Sequence, residues 1–313
     1  MTVALTFPGQ GSQAVGMGKA LADAFSQARD VFAEVDEALG EKLSATIWEG
    51  PVETLMLTEN AQPALMAVSI AAMRALESNG VKLPVHVAYV AGHSLGEYSA
   101  LAAAGTFKLA DAARLLRIRG RAMQAAVPVG AGAMAALIGL DFTAADQVAK
   151  DAADGQICEV ANDNGAGQAV ISGDRAAIER AVEIAKERGA RRAVLLPVSA
   201  PFHCALMAPA ARAMEEALQD VEIASPAVPL VANVIAGPIS DPAEIRRRLV
   251  EQVTSLVRWR ESVAWLANSG VDFFVEVGAG KVLSGLARRI AETAETLTVG
   301  APEDIDAATA RLI

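Results

Sequence analysis

"VAYVAGHSLGEYSAL", residues 87–101, passes from an apolar, β-branched run into an alanine-rich one that favours helix. At the junction stand Gly92, His93, Ser94, Leu95 and Gly96. A serine between two glycines at a strand-to-helix turn matches the G-x-S-x-G nucleophile elbow, whose strained backbone lifts Oγ outward. Small flanking residues let strand and helix approach closely, which accounts for both glycines. The helix behind Ser94 offers free N–H groups and the positive end of a dipole, both suited to a developing oxyanion. An inert glycine-rich βα turn could carry the same letters, so the rest of the chain has to decide.

Outward from the elbow, strand-like and helix-like segments alternate, as in a parallel sheet covered by helices. "VALTF" (3–7) reads as a first strand, followed by the loop "PGQGSQAVGMG". Helices are expected over 18–39, 60–78, 95–104 and 109–126, with Gly40, Gly80 and Gly105 stopping the first three. Residues 130–199 follow another order. "AMAALIGL" (133–140) is a strand, 143–153 a helix, "ICEVAN" (157–162) and "QAVISG" (168–173) strands, 174–188 a helix, and "RRAVLLPVS" (191–199) a strand. That βαββαβ succession is the split-βαβ pattern of a ferredoxin-like unit. Helices over 205–218, 241–256 and 260–269 then precede a buried strand, "DFFVEVG" (272–278), and a helix after "AGKVLSG". The expected fold class is α/β. A large α/β-hydrolase-like domain with a parallel sheet (1–129 and 200–313) is interrupted by a small ferredoxin-like subdomain (130–199).

Bulk properties narrow the function. Of 313 residues 53% are hydrophobic, enough for a sizeable core, and aromatics at 4% fit an alanine-rich α/β enzyme better than a β-sandwich. A net charge of −10 argues against a general nucleic-acid binder. Residues 122–140 carry no charge, but Pro128, Gly130, Gly132 and Gly139 make a loop and strand the better reading than a membrane span. "MTVALTFPGQGSQ" lacks the basic and apolar regions of a signal peptide. Cys158 and Cys204 lack metal-ligand spacing. A cytoplasmic enzyme without a metal, acting as a monomer, is expected.

A serine nucleophile needs a base, and the chain has three histidines. His93 adjoins Ser94 and should project away from it. His86 starts the strand, roughly 20 Å from the elbow at about 3.3 Å per residue. His203, in "SAPFHCALM", lies in a loop between strand and helix, where catalytic groups are commonly held. Elimination therefore favours His203, although a structural histidine would fit that loop as well. No Asp or Glu stands out to orient it.

On "LADAARLLRIRGRAMQAA" (109–126), Arg119 shares a stripe at helical spacing with Ala112, Leu116 and Met123, whereas Arg114, Arg117 and Arg121 fall towards solvent. An inward guanidinium needs an anion. Two readings remain open: an internal ion pair, for instance with Glu97, or a receptor for a carboxylate on the substrate. Neither "GQGSQAVGMG" nor "GAGKVLSG" has the spacing of a nucleotide loop. The first is better used as a turn beside Ser94 whose N–H groups complete an oxyanion hole.

Taken in order, "FPGQGSQ" (7–13), "QPALM" (62–66), "GHSLGEYSAL" (92–101), "RGRAMQ" (119–124), "AVISG" (169–173), "HCALM" (203–207) and "VEVGAGKVL" (275–283) give a resemblance along nearly the whole chain. The chain resembles the malonyl-CoA:acyl carrier protein transacylases of fatty-acid synthesis. The resemblance implies a Ser94–His203 dyad, Arg119 gripping the malonyl carboxylate, and an oxyanion hole from the backbone amides of Gln10 and Leu95. It implies that Gln252 belongs to the site and orients His203 through a main-chain carbonyl, which would account for the missing acid. The partners implied are malonyl-CoA and acyl carrier protein, with no cofactor, nucleic acid or membrane. Arg191–Arg192, Arg246–Arg248 and Lys281 are candidate basic patches for an acidic carrier. The main rival is a polyketide-type acyltransferase loading methylmalonyl or another extender; Phe202 before His203 favours malonyl by analogy. A serine esterase is disfavoured by the inward arginine and the absent triad acid.

Overall fold

A computed structural model describes residues 1–313. Strands β1 (Val3–Phe7) and β2 (Tyr89–Gly92) come first. A block of four follows: β3 (Gly132–Ile138), β4 (Cys158–Asp163), β5 (Gln168–Asp174) and β6 (Arg192–Leu195). The chain closes with β7 (Leu230–Ala232), β8 (Gly237–Ile239), β9 (Phe273–Val277) and β10 (Glu295–Val299). The larger sheet runs β10-β9-β1-β2-β7-β8, all parallel except β8. The smaller, β4-β5-β3-β6, is antiparallel throughout.

β1 and β9 are buried at every position, as strands covered by helices on both faces must be. Glu276 in β9 is the one charged residue among them, and its carboxylate accepts from the amides of Leu283 (3.1 Å) and Ser284 (2.7 Å). It thereby satisfies N–H groups at the start of helix Val282–Ile290. Val3, Leu5 and Phe7 face one core and Ala4 another, so the sheet is packed on both sides. The smaller sheet and its two helices enclose their own core of 18 residues between 133 and 193. β4 of the smaller sheet is tied to the loop before helix Trp259–Asn268, where the amide of Asp163 donates to the carbonyl of Val257 (3.0 Å) and that of Val257 to Ala161 (2.9 Å).

Several boundaries depart from the sequence reading. The helix expected over 18–39 is two helices, Lys19–Ala24 and Ser26–Leu39, broken by the extended backbone of Phe25 (φ −124°). β6 stops at Leu195 rather than 199, because Pro197 has no N–H to donate to a ladder. His86 does not start a strand but closes the helical turn Leu83–His86, its Nδ1 accepting from the Lys82 amide. Residues 122–140 divide into a helix end, a loop and β3. No helix is long and apolar enough to cross a membrane.

Candidate active site

The elbow is made by close approach. A Cβ on Gly92 would lie 1.9 Å from the carbonyl of Gly96, and one on Gly96 would lie 2.3 Å from the carbonyl of Phe7 in β1. Ser94 itself takes φ 54°, a left-handed conformation that costs a non-glycine residue energy. Asn233, fully buried just beyond β7, offsets that cost. Its Oδ1 accepts from the Ser94 amide and its Nδ2 donates to the Gly92 carbonyl, each at 2.8 Å. The loop after β1 packs against this turn, since a Cβ on Gly9 would come within 2.8 Å of the His93 carbonyl.

Ser94 Oγ stands 2.7 Å from His203 Nε2. His203 Nδ1 lies 2.9 Å from the main-chain carbonyl of Gln252, at the end of helix Pro242–Gln252. A carbonyl can only accept, so Nδ1 carries the proton and Nε2 is left to accept from the serine hydroxyl. Burial, reinforced by the Arg119 charge, pushes the imidazole down to about 3, so it is neutral at physiological pH. His203, like Ser94, has a positive φ, 58°. His93 turns away: its Nε2 meets Asn164 Oδ1 at 2.9 Å and its ring lies 5.5 Å from that of Trp259.

Arg119 is 1% exposed and has no ion-pair partner. Its Nη1 donates to Gln62 Oε1 (2.7 Å), and its Nη2 to Gln252 Oε1 (2.8 Å) and Ser94 Oγ (3.1 Å). Its Nε, also buried, donates to nothing. The Tyr98 ring, 5.8 Å away, offers a π face. Glu97 is not its direct partner: one carboxylate oxygen accepts from the Asn233 amide and the other from Gln252 Nε2. Burial pushes Glu97 up to about 8, against the pull of those donors and of Arg119. An arginine held among neutral acceptors keeps unused donors for an anion.

One expectation on this helix is wrong. Arg117, read as solvent-facing, is buried, with Nη1 on Asn60 Oδ1 and Nη2 on Glu41 Oε1. The helix, Leu109–Ala125, is packed by four others, so a single apolar stripe does not describe it. Arg114 and Arg121 are exposed as expected.

Ser94, His203 and Arg119 open onto one cavity of about 540 Å³, also lined by Gln10, Leu95 and Phe202. The amides of Gln10 and Leu95 donate to no other protein group. Gln252 does not line the cavity; it is wholly buried behind it and joins His203, Arg119 and Ser94, whose carbonyl accepts from its Nε2 at 2.9 Å. Residues 196–199, beyond the end of β6, line the same cavity. Cys204 is buried with Sγ donating to the Pro201 carbonyl, and burial pushes its thiol up to about 11, which keeps it unreactive. Among the basic candidates, Lys281 and Arg191–Arg192 are exposed, and Lys281 adjoins Val282 on the cavity wall. Arg246 and Arg248 are committed to local carbonyls and carboxylates. The sequence reading overlooked Asn233, whose only linear signal is a polar residue directly after the apolar run "PLVA" (229–232). It gave Gln62 no role, although "QPALM" marked its position.

A model of the acyl transferase domain matches residues 5–303. The malonyl CoA-acyl carrier protein transacylase of Bacillus subtilis is 46% identical over 307 residues, covering 98% of this chain and 96% of that protein. Its namesake from Escherichia coli (strain K12) is 45% identical over 305 residues, with 97% and 98% covered. The crystal structure of an acyl-carrier-protein-S-malonyltransferase from Bartonella henselae is 59% identical, with a TM-score of 0.98 and 100% and 99% covered. A malonyl-transacylase solved in complex with a type II polyketide synthase acyl-carrier protein is 42% identical, with a TM-score of 0.96 and 99% and 100% covered.

Proposed function

The chain belongs to the acyl transferase domain family, among the malonyl CoA-acyl carrier protein transacylases, and from that membership we propose how its residues carry the reaction. The enzyme transfers the malonyl group of malonyl-CoA to the phosphopantetheine thiol of acyl carrier protein, a step of fatty-acid synthesis. Ser94 is the nucleophile and His203 its base. The observation that carries this reading is a buried cation without a counter-ion beside a paired hydroxyl and imidazole. Arg119 Nη2 is 3.1 Å from Ser94 Oγ, which is 2.7 Å from His203 Nε2.

In the first half-reaction Ser94 Oγ gives its proton to His203 Nε2 and attacks the thioester carbon. The amides of Gln10 and Leu95 face the oxyanion that forms. Collapse expels coenzyme A, whose sulfur takes the proton from His203, and leaves a malonyl-Ser94 ester. In the second half the carrier thiol loses its proton to His203 and attacks that ester, regenerating Ser94. The Gln252 carbonyl orients the imidazole without supplying a negative charge, so it is less basic than with a carboxylate partner. A thiolate leaving group makes that basicity sufficient.

Arg119 selects acyl groups that end in a carboxylate by pairing its free donors with it. Phe202, on the cavity wall, favours malonyl over α-branched groups. The strand order of the small sheet supports a ferredoxin-like subdomain over 130–199, set into a hydrolase-like domain formed by 1–129 and 200–313. Two free, buried cysteines fit the cytoplasm as the site of action. A carrier of polyketide type is the second reading, favoured by the relative solved with one. Incubation with mixed acyl-CoAs followed by intact-mass measurement tests the assignment. One malonyl mass on Ser94 is expected, and label on Cys204 would refute it.

A further inference from the structure

Between the loop after β1 and Arg119 runs a chain of hydrogen bonds whose direction is fixed. Arg119 Nη1 can only donate, so Gln62 turns its Oε1 towards it (2.7 Å). Gln62 Nε2 then has to donate, and it reaches Thr58 Oγ1 at 3.1 Å, with Met123 Sδ more distant at 3.7 Å. The Thr58 hydroxyl, having accepted, gives its one proton to Gln10 Oε1 at 2.9 Å. Thr58 begins helix Thr58–Ser78; its hydroxyl has no backbone partner and points into this chain.

The helices are set for that contact. Gly120, next to Arg119, lies against this turn: a Cβ there would fall 2.5 Å from Glu59 Cα and 2.7 Å from the Thr58 carbonyl. Thr58 and Gln62 are each 1% exposed, so water cannot replace either partner. The β-branched threonine has few rotamers and holds its hydroxyl steadily.

We propose that Thr58 is a positioning residue that fixes the Gln10 loop and the Arg119 guanidinium relative to one another. The proposal rests on the roles given above to Gln10 and Arg119. A malonyl group held by its carboxylate at one end and its oxyanion at the other requires that spacing to be constant. Loss of the hydroxyl leaves Gln62 Nε2 with only the distant Met123 Sδ, takes the partner from Gln10 Oε1, and frees both ends.

The test compares Thr58→Val, which keeps the shape, with Thr58→Ser, which keeps the hydroxyl, by kcat/KM for Ser94 acylation from malonyl-CoA and acetyl-CoA. Thr58→Val should lose roughly ten- to a hundredfold with malonyl-CoA, the scale of one buried donor left underpaired and one further hydrogen bond lost. It should lose less with acetyl-CoA, which does not use Arg119, and Thr58→Ser should recover most of the loss. Thr58→Ala is measured alongside, and a loss seen with Val but not Ala would count against the relay. So would Thr58→Val within about twofold of wild type on both substrates, or Thr58→Ser falling as far as Thr58→Val. Wild type in the same assay separates the two levels of the argument. Malonyl on Ser94 with an indifferent Thr58→Val removes the relay alone, whereas malonyl elsewhere removes the reading of the site.

Discussion

On the proposed reading, Arg119 is the residue whose charge selects the acyl group. Leaving a malonate charge unpaired in a closed site costs about 3–5 kcal/mol. At about 1.4 kcal/mol per decade that is roughly a hundred- to several-thousandfold in rate. Arg119→Ala should lose that much in malonyl kcat/KM while acetyl loading changes little, so the ratio of the two moves towards acetyl. An unchanged ratio in a folded variant would make Arg119 a structural residue. His203 gives a second expectation, for pH. A base acts in its neutral form, and burial together with Arg119 pushes this imidazole down to about 3. Malonyl kcat/KM, which reports the free enzyme, should therefore stay level as pH falls through 6.5 and drop only well below it. A half-maximal rate near pH 6.5 would show an unshifted imidazole. Ser94, His203 and Arg119 were legible because each residue type stands out against its local pattern. Arg117 was misread because helical spacing gives one inward face and cannot show how many neighbours a helix has. Asn233 acts through partners 139 and 141 positions away, and no spacing rule reaches them.

At the scale of elements, the site depends on a turn that its own sequence does not hold alone. Ser94 is held at φ 54° by glycines too close to accept a Cβ and by one carboxamide from beyond β7. Asn233→Ala leaves the Ser94 amide and the Gly92 carbonyl unpaired, each costing about 1–3 kcal/mol. The denaturation midpoint should fall at constant m-value, and acylation of Ser94 should slow in the protein that remains folded. An unaltered midpoint would show that the turn holds itself. The strands that carry the elbow were legible from their apolar runs. β7 and β8, three residues each and bordered or interrupted by proline, are too short to show a pattern, so the element that supplies Asn233 was missed. The early end of β6 was missed for a related reason, since an apolar run continues past Pro197 although pairing does not.

At the scale of the molecule, the order of segments suggests a block over 130–199; 18 buried residues between 133 and 193 cluster together, while Met134 and Ala161 of the same block pack into the larger core. What order could not reveal is how the two sheets face each other. That arrangement depends on single contacts such as those between Val257 and β4, and it brings residues 196–199 to the cavity. One cavity is lined by Ser94, His203 and Arg119, residues up to 109 positions apart, and on the proposed reading it is the path of the acyl group. The most direct measurement follows the acyl group along that path. The protein is loaded with malonyl-CoA, freed of excess thioester, mixed with carrier bearing its phosphopantetheine thiol, and all species are weighed intact. One malonyl mass is expected on wild type and none on Ser94→Ala, with passage of that mass from enzyme to carrier. A carrier that stays unloaded while the enzyme releases free malonate, or a Ser94→Ala protein that still takes up malonyl, would contradict the proposed transfer.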